Sequence, residues 1–365
     1  MTTYIDQTES YKGEAIKKLA VELLKNNTVD SLFIPFQNSY SGIPMPSLIS
    51  DPEKTDGIEP IAPVAPFNSA KQAASVIKYA TGKKTAFFLR PCEIRALVEL
   101  VKLNQCTLED AVIISYDCYG RVENKKYLEL LSSNDQVNKD FYTDESLQNE
   151  TTTTCKSCDA FTPLNADIAI SFMGTDQSVF EGTSEKGSNA LSSLNSAIGG
   201  SLDLKSGGSI DKSIVEGIKE KRSKEKEALF SKTSEIIKDV DSFQKMIGNC
   251  LNCYNCRTAC PVCYCKECVF LTDIFLHDPD ILHQRSIKKG VLKLPVDTTM
   301  FHMTRISHIS HSCVGCGQCT SVCPSDIQVA DLFRTVSEKT QEKLEYKAGQ
   351  NIEQPIPFLA YKEEN

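Results

Sequence analysis

Two cysteine runs near the C-terminal end constrain this chain more than any other feature. The first is Cys250-x2-Cys253-x2-Cys256-x3-Cys260 followed by Pro261, and the second is Cys313-x2-Cys316-x2-Cys319-x3-Cys323 followed by Pro324. Each has the spacing of the bacterial ferredoxin run that holds a 4Fe–4S cluster. Three thiolates two residues apart let one short loop wrap three corners of an iron–sulfur cube, with loop amides free to donate to the sulfurs. The fourth cysteine of such a run crosses to the other cluster. Cys250, Cys253, Cys256 and Cys323 are therefore expected around one cube, and Cys313, Cys316, Cys319 and Cys260 around the other. The prolines suit the first position of a following helix. Zinc sites favour separated Cys-x2-Cys pairs over four cysteines in eleven residues. A disulfide framework needs an oxidising compartment and usually a small secreted domain.

With 365 residues the chain has room for two domains or more, and its 16 cysteines exceed what buried structural thiols would explain. Residues 1–20, MTTYIDQTESYKGEAIKKLA, are polar and charged, unlike a signal peptide. No stretch of about 18 apolar residues is present, so no membrane span is expected. A reduced, cytoplasmic iron–sulfur protein fits these features. The net charge of −8 disfavours nucleic acid as a partner. All five histidines (His277, His283, His302, His308 and His311) lie in the C-terminal quarter. The first 276 residues thus offer no imidazole for hydrolytic acid–base work, whereas electron or hydride transfer by a bound cofactor needs none.

Residues 12–26 predict an amphipathic helix with Ile16, Leu19, Leu23 and Leu24 on one stripe. Residues 29–35 predict a strand, 36–67 an irregular stretch marked by prolines, and 69–80 a helix capped by Asn68. The apolar runs 84–89 and 111–116 predict buried strands, and Pro91 opens a helix reaching about Leu103. Alternation of strand and helix implies an α/β layer with mostly parallel strands. Cys92 and Cys118 follow strand C-termini, the edge where open α/β sheets place ligands. Residues 132–153 predict a loop, and 166–171 a further strand. Cys155 and Cys158 form a Cys-x2-Cys pair, ambiguous by itself among zinc, redox pair and cluster. With Cys92 and Cys118 they make four thiols, enough for one more cluster. Residues 183–213 predict a flexible Ser- and Gly-rich loop, and the charge run KEKRSKEKE a solvated helix face. Cys263, Cys265 and Cys268 invite a fourth cluster, with Cys106, a thiol from another domain, or nothing as the fourth ligand; otherwise some are simply buried small side chains. The segment from Leu332 predicts a helix and then an extended tail suited to docking on a partner.

Several stretches together resemble the beta subunits of coenzyme F420-reducing hydrogenase and formate dehydrogenase. They are KGEAIKKLAVELL at 12–24, FLRPCEIRAL at 88–97, SYDC at 115–118 and CKSCDAFTPLNADIAIS at 155–171. CVGCGQCTSVCPSDI and LEYKAGQ resemble the formate dehydrogenase form in the C-terminal half. The resemblance implies FAD in the α/β domain with a 4Fe–4S cluster beside it on Cys92, Cys118, Cys155 and Cys158. Lys12, Gly13, Arg90 and Arg95 are the candidate flavin contacts, the cations for its phosphates.

The expected fold is an α/β flavin-binding domain followed by an α-rich, bacterial-ferredoxin-like iron–sulfur domain. The expected divisions are 1–213, a linker helix at 214–246, the ferredoxin-like domain at 247–335 and a tail at 336–365. The expected function is electron relay between FAD and three or four 4Fe–4S clusters. The catalytic work falls to a separate redox subunit of formate dehydrogenase, hydrogenase or heterodisulfide-reductase type. Ferredoxin-type or heterodisulfide-reductase-like carriers and the deazaflavin coenzyme F420 are the expected exchange partners. The competing readings are a flavin-free, polyferredoxin-like wire and a redox-sensing binding protein.

Overall fold

In a computed structural model the described residues are 2–6, 12–38, 40–195, 204–272, 279–290 and 297–357. Among them, eight strands form one sheet: β1 (Thr2–Asp6), β2 (Ser31–Phe36), β3 (Met45–Ile49), β4 (Thr85–Leu89), β5 (Ala111–Tyr116), β6 (Ile168–Ser171), β7 (Ser178–Gly182) and β8 (Leu204–Ser206). Their spatial order is β3-β2-β4-β5-β6-β7-β1-β8. β2, β4, β5 and β6 run parallel, and β3, β7 and β8 each pair antiparallel with a neighbour. β4 and β5 are buried at every position, as their unbroken apolar runs require for strands covered on both faces.

The principal helices are α1 (Lys12–Lys25), α2 (Ala70–Val76), α3 (Pro91–Lys102), α4 (Glu185–Asn195), α5 (Lys212–Ile236), α6 (Val240–Ile247), α7 (Asp297–Ile309) and α8 (Val329–Lys343). Strand side chains alternate between two cores. Leu32, Ala86, Phe88 and Ile114 face α1 and α4 through Ile16, Leu19, Leu23 and Leu191. Phe33, Phe87, Leu89 and Ile113 face α2 and α3. The second core continues without a break into the C-terminal half, through Phe301, Ile309, Leu332 and Phe333. The cysteine-rich half is thus packed on the α3 face of the sheet.

Four expectations are corrected. The strands are parallel only in the centre, because β1, β7 and β8 add an antiparallel flank whose partners lie far apart in sequence. The Ser- and Gly-rich stretch 183–213 holds α4 and β8, with residues 196–203 outside the described set; Leu191 and Leu194 supply the apolar stripe that fixes the helix. The 132–153 stretch contains the short helices Val137–Asp140 and Glu145–Gln148, pinned by buried Val137 and Phe141. The tail, as far as Pro357, packs on its own chain: Arg95 Nε donates to Ala348 O (2.9 Å) and the Gly349 amide to Glu99 Oε1 (2.7 Å). Residues 358–365 and His277 lie outside the described set.

Candidate iron–sulfur centres

The two ferredoxin-type runs adopt the same backbone at the same places. Asn252 and Tyr254 in the first have φ 51° and 59°, and their counterparts Gly315 and Gly317 in the second have φ 68° and 79°. Two left-handed residues between the cysteines curl each loop so that three thiols face inward. Glycine adopts this conformation freely, whereas a tyrosine there is strained. The second run needs its glycines for space as well: a Cβ on Gly317 would lie 2.8 Å from Thr154 Oγ1.

Cys250, Cys253, Cys256 and Cys323 line one cavity, with Tyr254, Phe301 and His302 in its wall. Cys260, Cys313, Cys316 and Cys319 line a second, with Arg305 in its wall. The fourth cysteine of each run therefore lines the other run's cavity. Burial is the chief influence on these thiols: it pushes Cys260 up to about 12 and Cys316 up to about 11, and raises Cys250, Cys256 and Cys319 as well. Bare thiolates would be costly here, and iron supplies the positive charge that offsets the cost.

The fit to cubes has an independent mark. Arg305 Nε and His302 Nδ1 are buried guanidinium and ring nitrogens with no hydrogen-bond partner among the described residues. Both side chains border the thiol cavities, where cluster sulfides accept hydrogen bonds. Among the described residues no three His, Cys, Asp or Glu side chains converge as a single ion would require.

Four further cysteines, a candidate third quartet, lie near one another at the sheet edge. Cys118 follows β5, Cys92 is the second residue of α3, and Cys155 and Cys158 bracket the end of the short helix Thr153–Lys156. The Cys118 thiol is pushed up to about 11, chiefly by burial, with Arg90, Cys155, Arg222 and Cys158 as its charged or ionisable neighbours. Burial likewise raises Cys92, whose neighbours include Cys118, Cys158 and, from the second ferredoxin-type quartet, Cys316. Cys158 and Cys313 also border one common cavity. Arg334 ties the two centres together, donating to Ser157 Oγ and Ser157 O at 2.7 Å each.

The charge run on α5 is not wholly a wet face. Arg222 Nη2 donates to Tyr119 O (3.0 Å) and its guanidinium lies 4.5 Å over the Phe161 ring. Lys226 pairs with Asp159 (2.7 Å) and Glu338 (2.8 Å). The helix thus braces the third quartet against α8, a role that charge patterning gave no sign of.

The remaining four cysteines fall in two places. Cys263 and Cys265 line an open cleft with Lys71, Lys78 and Arg257, while Cys268 Sγ accepts from Arg257 Nε at 3.1 Å. Cys106 lies in the apolar core, and burial alone pushes its thiol up to about 11.

The four residues expected at a flavin do not assemble as one set. Arg90 Nη2 donates to Ala62 O and Val64 O, both at 2.6 Å. Arg95 donates to Ala348 O and to Val314 O (3.2 Å). Both guanidinium groups are buried and hold backbone carbonyls, so neither presents its charge to a phosphate. Lys12 bonds the Asp176 carbonyl, and Gly13 is buried beside it at the start of α1, across the sheet from α3. As one set these residues do not fit an FAD.

A 4Fe–4S dicluster domain model matches residues 246–327. The F420-dependent formate dehydrogenase subunit beta of Methanocaldococcus jannaschii is 27% identical over 95% of this chain and 94% of its own length. The F420-dependent formate dehydrogenase 1 subunit beta of Methanococcus maripaludis is 29% identical over 76% of each. A chain from a xenon-derivatized F420-reducing NiFe hydrogenase complex of Methanosarcina barkeri superposes with a TM-score of 0.49 at 14% identity, over 66% of this chain and 94% of that one. The chain is a relative of the F420 hydrogenase/dehydrogenase beta subunits, similar along nearly all its length to the formate dehydrogenase form, with a 4Fe–4S dicluster domain at its C-terminal end.

Proposed function

We propose that the chain is the electron-transfer beta subunit of an F420-dependent formate dehydrogenase- or hydrogenase-type complex. The observation that carries this reading is the series of three thiol quartets. The Cys250 quartet adjoins the Cys260/Cys313/Cys316/Cys319 quartet across Arg305, and that quartet adjoins the Cys92/Cys118/Cys155/Cys158 quartet through Cys316. Cubes on these thiols would supply one-electron steps between the outer end of the cysteine-rich half and the sheet edge. The protein's own part is to bury the thiols, set their order and place cations beside them.

The series predicts about 12 iron atoms per chain, four for each quartet. Anaerobic iron and sulfide analysis checks it, and eight or fewer irons in fully loaded protein would remove the third centre. The finer reading adds FAD in the α/β domain and coenzyme F420 as its hydride partner, supported by the named activity of the relatives. A flavin supplies exchange between two-electron and one-electron carriers. The commitment of Arg90 and Arg95 to carbonyls favours, as a second reading, a flavin-free wire. Denaturation of anaerobically purified protein separates the two, releasing about one flavin per chain on the first reading and none on the second.

Formate and hydrogen oxidation belong to a separate catalytic partner. Isolated, reconstituted subunit should be bleached by a chemical reductant but left oxidised by formate or hydrogen until that partner is added. Rapid bleaching by formate in a preparation free of other chains would contradict the assignment.

A further inference from the structure

A buried cation lies between the two ferredoxin-type quartets. Arg305, on α7, is 2% exposed. Its Nη1 donates to Cys256 Sγ at 3.0 Å and its Nη2 to Cys256 O at 3.2 Å, both on the first run. The same side chain lines the cavity of Cys260, Cys313, Cys316 and Cys319. Its guanidinium packs 4.5 Å from the centre of the Phe333 ring and 5.5 Å from that of Phe301. Among the described residues no carboxylate pairs with it and its Nε–H has no hydrogen-bond partner. Removing a guanidinium from water without a counter-charge is expensive, and an unpaired buried donor adds to that cost. Thiolates of two clusters are the anions at hand.

We infer that Arg305 is a positioning residue shared by the two cubes, whose fixed charge raises both reduction potentials and whose bond to Cys256 raises that of the Cys250-side cube further. Reduction adds one electron to a cube and leaves Arg305 protonated, since a guanidinium does not titrate in proteins. A positive charge in a low-dielectric site favours the state carrying the extra electron. Hydrogen bonds to cluster sulfur act in the same direction. The first cube receives charge and hydrogen bond, the second chiefly charge. Electrons would therefore settle toward the outer, Cys250-side cube.

This inference rests on the electron-relay reading, and the experiment keeps the two apart. Full-length Arg305→Met and Arg305→Lys proteins are prepared anaerobically beside the wild type. Iron and sulfide are counted first, and the cubes are then titrated with dithionite while EPR reports each one. If the wild type lacks both ferredoxin-type clusters, the relay reading itself fails. With clusters present, Arg305→Met should lower both potentials, the first cube's by more. That fall should change the reduced-to-oxidised ratio at fixed potential about tenfold, which is about 59 mV for one electron. Arg305→Lys retains the charge and loses the paired donors to Cys256. It should hold the second cube near its wild-type potential and lower the first. If Arg305→Met loses iron, Arg305→Lys alone decides between the outcomes. Cubes of unchanged potential in the variants that keep their iron, or equal shifts of both cubes in Arg305→Lys, would overturn the inference.

Discussion

The two cysteine runs share one spacing and one backbone path, yet they sit in different surroundings. The second run is clasped from outside: Gly317 meets Thr154, Gln318 donates to Ala65 O (3.3 Å), and Cys316 neighbours Cys92. The first run turns outward. Cys253 is exposed, and Leu251 beside it is 70% exposed. Identical motif chemistry is thereby divided into an inner centre, wired to the sheet edge, and an outer one that a partner can approach. The left-handed positions show the same division. Glycine fills both of them where another element presses close, and Asn252 and Tyr254 fill them where there is room for side chains.

The strongest way to break this comparison is through the crossed thiols. Cys260→Ser belongs to the first run in sequence but to the second cavity in space. It should remove about four irons and the inner cube's signal while the outer cube persists. Loss of the outer cube alone would show that the thiols do not cross. Cys158→Ser should remove a similar amount of iron from the third quartet and leave both ferredoxin-type signals in place. Retention of all iron would take Cys158 out of the ligand set.

A smaller effect sharpens the comparison at the backbone. Gly317→Ala forces a Cβ into a left-handed residue and against Thr154, so it should destabilise the protein by about 1–3 kcal/mol. A change at a left-handed residue of the first run, Asn252→Gly, should shift stability by less than about 1 kcal/mol, because asparagine already tolerates the conformation. Anaerobic thermal melts of the cluster-loaded proteins measure both; equal losses would mean that the two loops are held in equivalent environments.

Much of the architecture was legible because it is local. The apolar runs 84–89 and 111–116 could only be buried strands, and Pro91 marked the start of α3. The Ser- and Gly-rich stretch is read as a loop from composition, which outweighs the spacing of Leu191 and Leu194; these two are buried only because the fold sets a sheet face against them. Arg90 and Arg95 were misjudged for a related reason. A charge near a strand end looks available until the chain brings Ala62, Val64, Val314 and Ala348 carbonyls to it.

The sequence by itself determined the chemistry of the cysteine-rich half, because thiol spacing within a short loop is fixed by covalent geometry. It also determined the parallel centre of the sheet, through short strands alternating with helices. Only the tertiary structure decided that Cys92 lies near Cys316, that Arg222 and Arg334 brace the third quartet, and that Arg305 lies between the other two. These contacts join residues tens to hundreds of positions apart through long, flexible side chains. No local periodicity encodes such a meeting; the packing of whole helices on the sheet brings it about.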